Sequence, residues 1–116
     1  MGHRYSRHSA ARMRDQRNKG IPFIMEVDSL REIPWAMSFR PNMILLDNFS
    51  IPDLKKAVRF VRELSKEQRM VRPFLEASGG ITLENVSDYA KTGVDFISIG
   101  ALTHSAPAAD LSLEIK

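Results

Sequence analysis

Four stretches of this chain end an apolar run in residues that can do chemistry. Met25-Glu26 brings one carboxylate and Ile44-Leu45-Leu46-Asp47-Asn48 a second. Leu75-Glu76-Ala77-Ser78-Gly79-Gly80 ends in a hydroxyl and a Gly-Gly turn, and Ile97-Ser98-Ile99-Gly100 leads to Thr103 and His104. Ser78-Gly79-Gly80 followed by Ile81-Thr82 reads as strand, tight turn and helix start. Free N–H groups at a helix start, the helix dipole and the missing Cβ of glycine all favour an anion over such a turn. A second glycine turn at Gly100, after the next strand, matches the phosphate site that follows the last two strands of many β/α barrels. Carboxylates beside phosphate cradles suit a bridging divalent cation, and Mg²⁺ prefers oxygen ligands. His104 can donate to a phosphate oxygen or act as an acid, and it is equally consistent with a structural residue. Each carboxylate alone fits a helix cap or an ion pair, Asp47 as the cap of the following helix in particular. The alignment of all four strand ends favours a site.

Those residues need elements to hold them. Residues 21–27 form a buried-strand candidate, and Ser29 with Glu32 makes a capping-box signature for a helix. Pro34 falls inside that helix and predicts one irregular turn or kink, with Trp35 and Phe39 packing on the sheet. Pro41-Asn42 is a turn, and residues 43–46 are a second strand. Ser50 as N-cap and Pro52 in the first turn start a helix. Its Leu54, Ala57, Val58, Val61 and Leu64 share one face, with Lys55, Lys56, Arg59 and Arg62 on the solvent side. Residues 70–77 predict the third strand. Thr82 caps a helix with Leu83, Val86, Tyr89 and Ala90 inward, and Gly93 ends it. Residues 96–99 are the fourth strand, and 110–115 alternate as a half-exposed strand. Repeated strand–helix–strand units make an α/β protein with a parallel sheet and right-handed crossovers. In such sheets the C-terminal strand ends share one rim, where sites form.

Length and charge set bounds. The chain has 116 residues, short of the roughly 200 or more of a complete β/α barrel. It has no Cys, hence no disulfide framework and no thiolate zinc site, and no nucleophile elbow or Walker loop. No apolar run reaches the roughly 20 residues of a membrane span, and a soluble, cytoplasmic protein is expected. Net charge is +3, unevenly spread: residues 1–20 hold six Lys or Arg against one acid, and the remainder holds eleven against thirteen. Such a head suits a polyanionic ligand, a membrane surface or nucleic acid, or is a solvated arm. Tyr5 is its one aromatic residue, so stacking on single-stranded bases has little support.

Several motifs together resemble one family. Met25-Glu26-Val27-Asp28-Ser29-Leu30, Ile44-Leu45-Leu46-Asp47-Asn48-Phe49, Glu76-Ala77-Ser78-Gly79-Gly80-Ile81-Thr82, Gly93-Val94-Asp95 and Gly100-Ala101-Leu102-Thr103-His104-Ser105 occur in this order in the quinolinate phosphoribosyltransferases. The resemblance runs from about Met25 to the C-terminus. Gly2-His3-Arg4 resembles the family's His-Arg pair, and Arg14-Asp15-Gln16-Arg17 stands where the family has Lys-Asp-Asn-His. The resemblance implies a partial, incomplete β/α barrel spanning residues 21–116, preceded by a basic segment at 1–20. It implies transfer of phosphoribosyl from phosphoribosyl pyrophosphate to quinolinate with Mg²⁺. The products are nicotinate mononucleotide, pyrophosphate and CO₂, in NAD biosynthesis. It further implies that Glu26 and Asp47 face the ribose and Mg²⁺, and that Ser78, Gly79, Gly80, Gly100 and His104 cradle phosphates. His3 and Arg4 would help grip the quinolinate carboxylates, and Arg14, in place of the family's Lys, would be a further substrate-binding residue.

The family has a separate N-terminal domain and earlier barrel strands that are not in this sequence. A fragment or truncated form is therefore expected, completed by a homo-oligomer or by a missing N-terminal portion, because a half barrel leaves edges and an apolar face uncovered. The alternative is a non-catalytic phosphate-binding or assembly module. Nucleic-acid binding through residues 1–20 is a weaker reading.

Overall fold

The computed structural model describes residues 22–100 and 105–109. The expected substrate-binding residues His3, Arg4, Arg14 and His104, the basic segment at 1–20 and the expected strand at 110–115 lie outside those residues.

Strand β1 (Ile24–Val27) is followed by a 3₁₀ turn (Leu30–Glu32) and the short helix α1 (Ile33–Met37). The expected irregularity at Pro34 takes this form: the 3₁₀ turn restarts as α-helix, with Pro34 in the new first turn, where its missing N–H costs little. The capping box does not close. Ser29 makes no side-chain cap bond, whereas Glu32 Oε1 accepts from the Asp28 N–H at 2.8 Å. Trp35 and Phe39 pack edge to face at 5.4 Å against the core.

Strand β2 (Met43–Asp47) leads to the long helix α2 (Ile51–Glu67). Ser50 accepts from the Asp53 N–H at 3.2 Å, and Pro52 lies in the first turn. Leu54, Ala57, Val58 and Val61 are buried, and Lys55, Lys56, Arg59 and Arg62 are exposed, as the periodicity requires. Strand β3 (Phe74–Ser78) starts later than expected, and helix α3 (Val86–Ala90) is followed by β4 (Phe96–Ser98).

Strands β1 to β4 pair in sequence order and in parallel, so the sheet is a run of βαβ units. Consecutive right-handed crossovers put successive helices on one side. The core accordingly joins Met25, Val27, Ile44, Leu46, Leu75, Ala77 and Ile97 of one sheet face to Ile33, Leu54, Val61 and Val86 of the helices. This one-sided winding is that of a barrel, and it stops short of closure.

The other face is left open. Glu26, Leu45 and Glu76 form one row across β1, β2 and β3, and Ile24, Met43 and Phe74 form the row below it. Ile24 and Phe74 are 51% and 52% exposed, although Phe74 meets Phe96 edge to face at 5.6 Å. A fifth strand, β5 (Ser105–Pro107), pairs antiparallel with β4. The sequence does not announce it, because three residues containing Pro carry no alternation; at a sheet edge Pro costs no needed donor.

The lower ends of the strands are tied by polar side chains. Asn42 accepts from the Phe23 N–H at Oδ1 and from the Phe74 N–H at its carbonyl, both at 2.9 Å. Asp95 accepts from the Leu75 N–H at 2.8 Å and from both terminal nitrogens of Arg72 at 3.1 and 3.2 Å. Asp95 hydrogen bonding raises the Arg72 pKa further, against a partial opposing effect of burial.

Candidate functional site

The C-terminal rim of the sheet collects the predicted residues from three neighbouring strands. Glu26, Asp47 and Ser78 all project from the open face, since they alternate with the buried residues of β1, β2 and β3. Asp47 and Ser78 are register partners, and the Ser78 hydroxyl donates to Asp47 Oδ1 across 3.4 Å. Glu26 is the register partner of Leu45, two residues below Asp47. Strand spacing and rise then separate the Cα atoms of Glu26 and Asp47 by about 8 Å. Both carboxylates already hold interactions within the structure.

The two glycines of the turn have different reasons for being glycine. Both have positive φ, +90° at Gly79 and +69° at Gly80. A Cβ on Gly79 would lie 2.9 Å from Asn48 Cγ and 3.0 Å from Asn48 N, too close for any side chain. Gly79 is thus needed for the approach of the β2 and β3 rim turns. A Cβ on Gly80 would meet nothing within 4 Å. Among the described residues the space over Gly80 is open, and a ligand oxygen could come close to the backbone there. Among the described residues, neither the Gly79 nor the Gly80 N–H donates a hydrogen bond. Consecutive unpaired N–H groups in a left-handed turn form an anion-binding concavity.

The expected helix start beside this turn needs correction. Thr82 is not its cap. The Thr82 N–H donates to Asn85 Oδ1 at 2.8 Å, Asn85 Nδ2 donates to the Gly80 carbonyl at 3.1 Å, and the Asn85 N–H reaches the Thr82 carbonyl at 3.2 Å. Asn85 closes a local turn that competes with the helix, and α3 begins only at Val86 with Asn85 as N-cap. Leu83, expected inward, is 59% exposed in that turn. Five residues of helix this far along supply no dipole to the turn, so the glycine N–H groups are the donors it offers.

Gly100 is brought to the same rim through a bond from its N–H to the Ile81 carbonyl at 3.0 Å. That donor is committed to joining the two turns. Gly100 has only an ordinary 3.7 Å contact at its Cβ position, leaving room for a ligand but no free N–H. Gly93, with φ +101°, falls two residues beyond the Lys91 C-cap, and a Cβ there would press on Val58 of α2 at 3.1 Å.

The structure adds two rim residues to those that the sequence points to. Glu76 shares the open-face row of Glu26, with Leu45 between them. Its signal was an acid interrupting an apolar strand two residues before Ser78. Asn48, with φ +60°, packs against Gly79; an Asn directly after a strand was the available sign.

Mg²⁺ takes one or two carboxylates, keeps several waters and shares phosphate oxygens of the substrate. Glu26 and Asp47 bring two carboxylates to the rim from adjacent strands; among the described residues no group of three or more His, Asp or Glu converges as a metal site. No helix among the described residues is long and apolar enough to cross a membrane.

Comparison with known proteins gives a consistent result. The family described as "Quinolinate phosphoribosyl transferase, C-terminal domain" matches residues 5–114. The probable carboxylating nicotinate-nucleotide pyrophosphorylase of Methanocaldococcus jannaschii is 41% identical over 91 residues, which is 78% of this chain and 32% of that protein. The Mycobacterium leprae carboxylating nicotinate-nucleotide pyrophosphorylase is 40% identical over 95 residues, 82% of this chain and 32% of the relative. Among solved structures, the Francisella tularensis nicotinate-nucleotide pyrophosphorylase superposes with a TM-score of 0.67 at 31% identity, covering 86% of this chain and 33% of that one. The Ehrlichia chaffeensis enzyme gives 0.64 at 38% identity, covering 81% and 32%. The chain spans about a third of the length of the curated relatives it matches.

Proposed function

We propose, from the premise that this chain belongs to the quinolinate phosphoribosyl transferase C-terminal domain family, that it is the phosphoribosyl-pyrophosphate-binding part of a carboxylating nicotinate-nucleotide pyrophosphorylase. The observation that carries the reading is the Ser78-Gly79-Gly80 turn beside Asp47. Among the described residues it joins glycine N–H groups that donate to none of them, open space over Gly80 and a carboxylate 3.4 Å from the Ser78 hydroxyl.

Each residue then has a task. The Gly79 and Gly80 N–H groups hold phosphate oxygens, joined by the Ser78 hydroxyl once it turns from its long bond to Asp47, with Gly100 leaving room for the ligand and His104 as a further donor. Glu26 and Asp47 would hold Mg²⁺ and orient the ribose, and an ion held there would supply positive charge toward the departing pyrophosphate. His3 and Arg4 hold the quinolinate carboxylates and Arg14 is a further substrate-binding residue; phosphoribosyl transfer to quinolinate then gives nicotinate mononucleotide, with pyrophosphate and CO₂ released. The setting is cytoplasmic NAD biosynthesis, with no nucleic acid or membrane involved.

The open face implies a partner that completes the barrel. Ile24, Met43, Phe74 and Phe96 form an apolar strip on it, which a homo-oligomer or a separate N-terminal portion of the enzyme would cover. The same exposure supports a second reading, a non-catalytic phosphate-binding module that assembles through this face.

Titration calorimetry with phosphoribosyl pyrophosphate and Mg²⁺, followed by a quinolinate assay for nicotinate mononucleotide, tests these readings. Binding with turnover supports an enzyme. Binding without turnover, lost in Ser78→Asp, supports the module. Absence of binding overturns both.

A further inference from the structure

Asn48 stands at the rim between Asp47 and the Ser78-Gly79-Gly80 turn, and its side chain bonds none of the other described residues. Its backbone is held in the left-handed region at φ +60°, which Asn tolerates better than most residues with a side chain. Its N–H donates to the Ser78 carbonyl at 2.9 Å, carrying the β2–β3 ladder one residue past Asp47. The backbone on both sides of the carboxamide is therefore fixed.

The carboxamide lies against Gly79. Its Oδ1 is the nearest atom to the position a Gly79 Cβ would take, with Cγ next at 2.9 Å. With the oxygen turned to Gly79, the NH₂ is the branch turned away from it. Asn48 is exposed, and its side chain makes no hydrogen bond among the described residues. A neutral amide also complements its neighbour. The Asp47 carboxylate repels an anionic oxygen unless a cation lies between them, whereas an amide NH₂ donates to one directly. The Asp47-Asn48 pair thus offers a cation ligand and an anion donor at adjacent positions.

We infer that Asn48 is a further substrate-binding residue, whose side-chain NH₂ donates to a phosphate oxygen of the ligand held at Gly79-Gly80. This rests on the reading of the rim as a phosphoribosyl pyrophosphate site. The residue acts by binding, beside the groups already assigned there.

The test uses the full chain, titrated with phosphoribosyl pyrophosphate and Mg²⁺, as wild type and as Asn48→Asp, Asn48→Gly and Ser78→Asp. Asn48→Asp keeps the shape, removes the donor and adds a charge, and affinity should fall by about 30-fold or more. Asn48→Gly accepts the same φ and removes only the side chain, and affinity should fall about tenfold with little change in melting temperature. Wild-type affinity in both Asn48 variants, with binding lost in Ser78→Asp, overturns the role of Asn48 and leaves the rim reading standing. No binding by the wild-type chain overturns the rim reading and this inference together.

Discussion

Asp47 and Ser78 are register partners on adjacent strands, and the Ser78 hydroxyl donates to Asp47 Oδ1 across 3.4 Å. The bond is long for an O–H···O contact, so it adds little to stability and instead keeps a carboxylate and a hydroxyl side by side. Ser78→Ala should change stability by less than about 0.5 kcal/mol, read by chemical denaturation. Asp47→Asn should remove the Mg²⁺-dependent part of phosphoribosyl pyrophosphate binding, measured by titration with and without the ion. Equal affinities in the two conditions for wild type would exclude a metal role for Asp47.

Gly79→Ala and Gly80→Ala should separate stability from binding. At Gly79 the methyl meets Asn48 and the φ is unfavourable, for a cost of about 2–4 kcal/mol. At Gly80 only the φ is unfavourable, for about 1 kcal/mol, but the methyl enters the space meant for the ligand. Thermal unfolding and ligand titration of the two variants should rank them in opposite order.

Asp95→Ala should cost about 2 kcal/mol, chiefly by leaving the Leu75 N–H without its acceptor. Arg72→Ala should cost less than about 1 kcal/mol, because the pair is partly exposed. Asp95 raises the Arg72 pKa, so this pair's contribution is complete below the ordinary arginine value. It is lost only as pH rises through the raised value of the folded state. Urea unfolding should show no pH dependence from Arg72 across the neutral and mildly alkaline range.

Leu83→Ser should leave stability within about 0.5 kcal/mol of wild type, since Leu83 is exposed. Val86→Ala, at a fully buried position, should cost about 1–3 kcal/mol. A large loss in Leu83→Ser would restore the longer helix that the spacing of apolar residues suggests. Asn85→Ala removes both side-chain bonds of the turn and should cost about 1–2 kcal/mol.

By itself the sequence determined the parallel βαβ order, the α2 helix and the strand-end residues Glu26, Asp47 and Ser78. These follow from short-range chemistry: apolar runs, the Ser50 cap, the 3.6-residue spacing of Leu54 to Val61 and punctuation by glycine. The family motifs were equally legible, because each is a local string. Tertiary structure decided what depends on separated residues meeting. Gly79 is glycine because Asn48, 31 positions earlier, packs against it. Gly100 spends its N–H on Ile81, and Asn85 folds back on Thr82 and Gly80 and delays α3. The pairing of β5 with β4, and the open face on which Glu26 and Glu76 share a row, likewise exist only once strands lie side by side. Register assembles these contacts from residues whose individual sequence signals are weak.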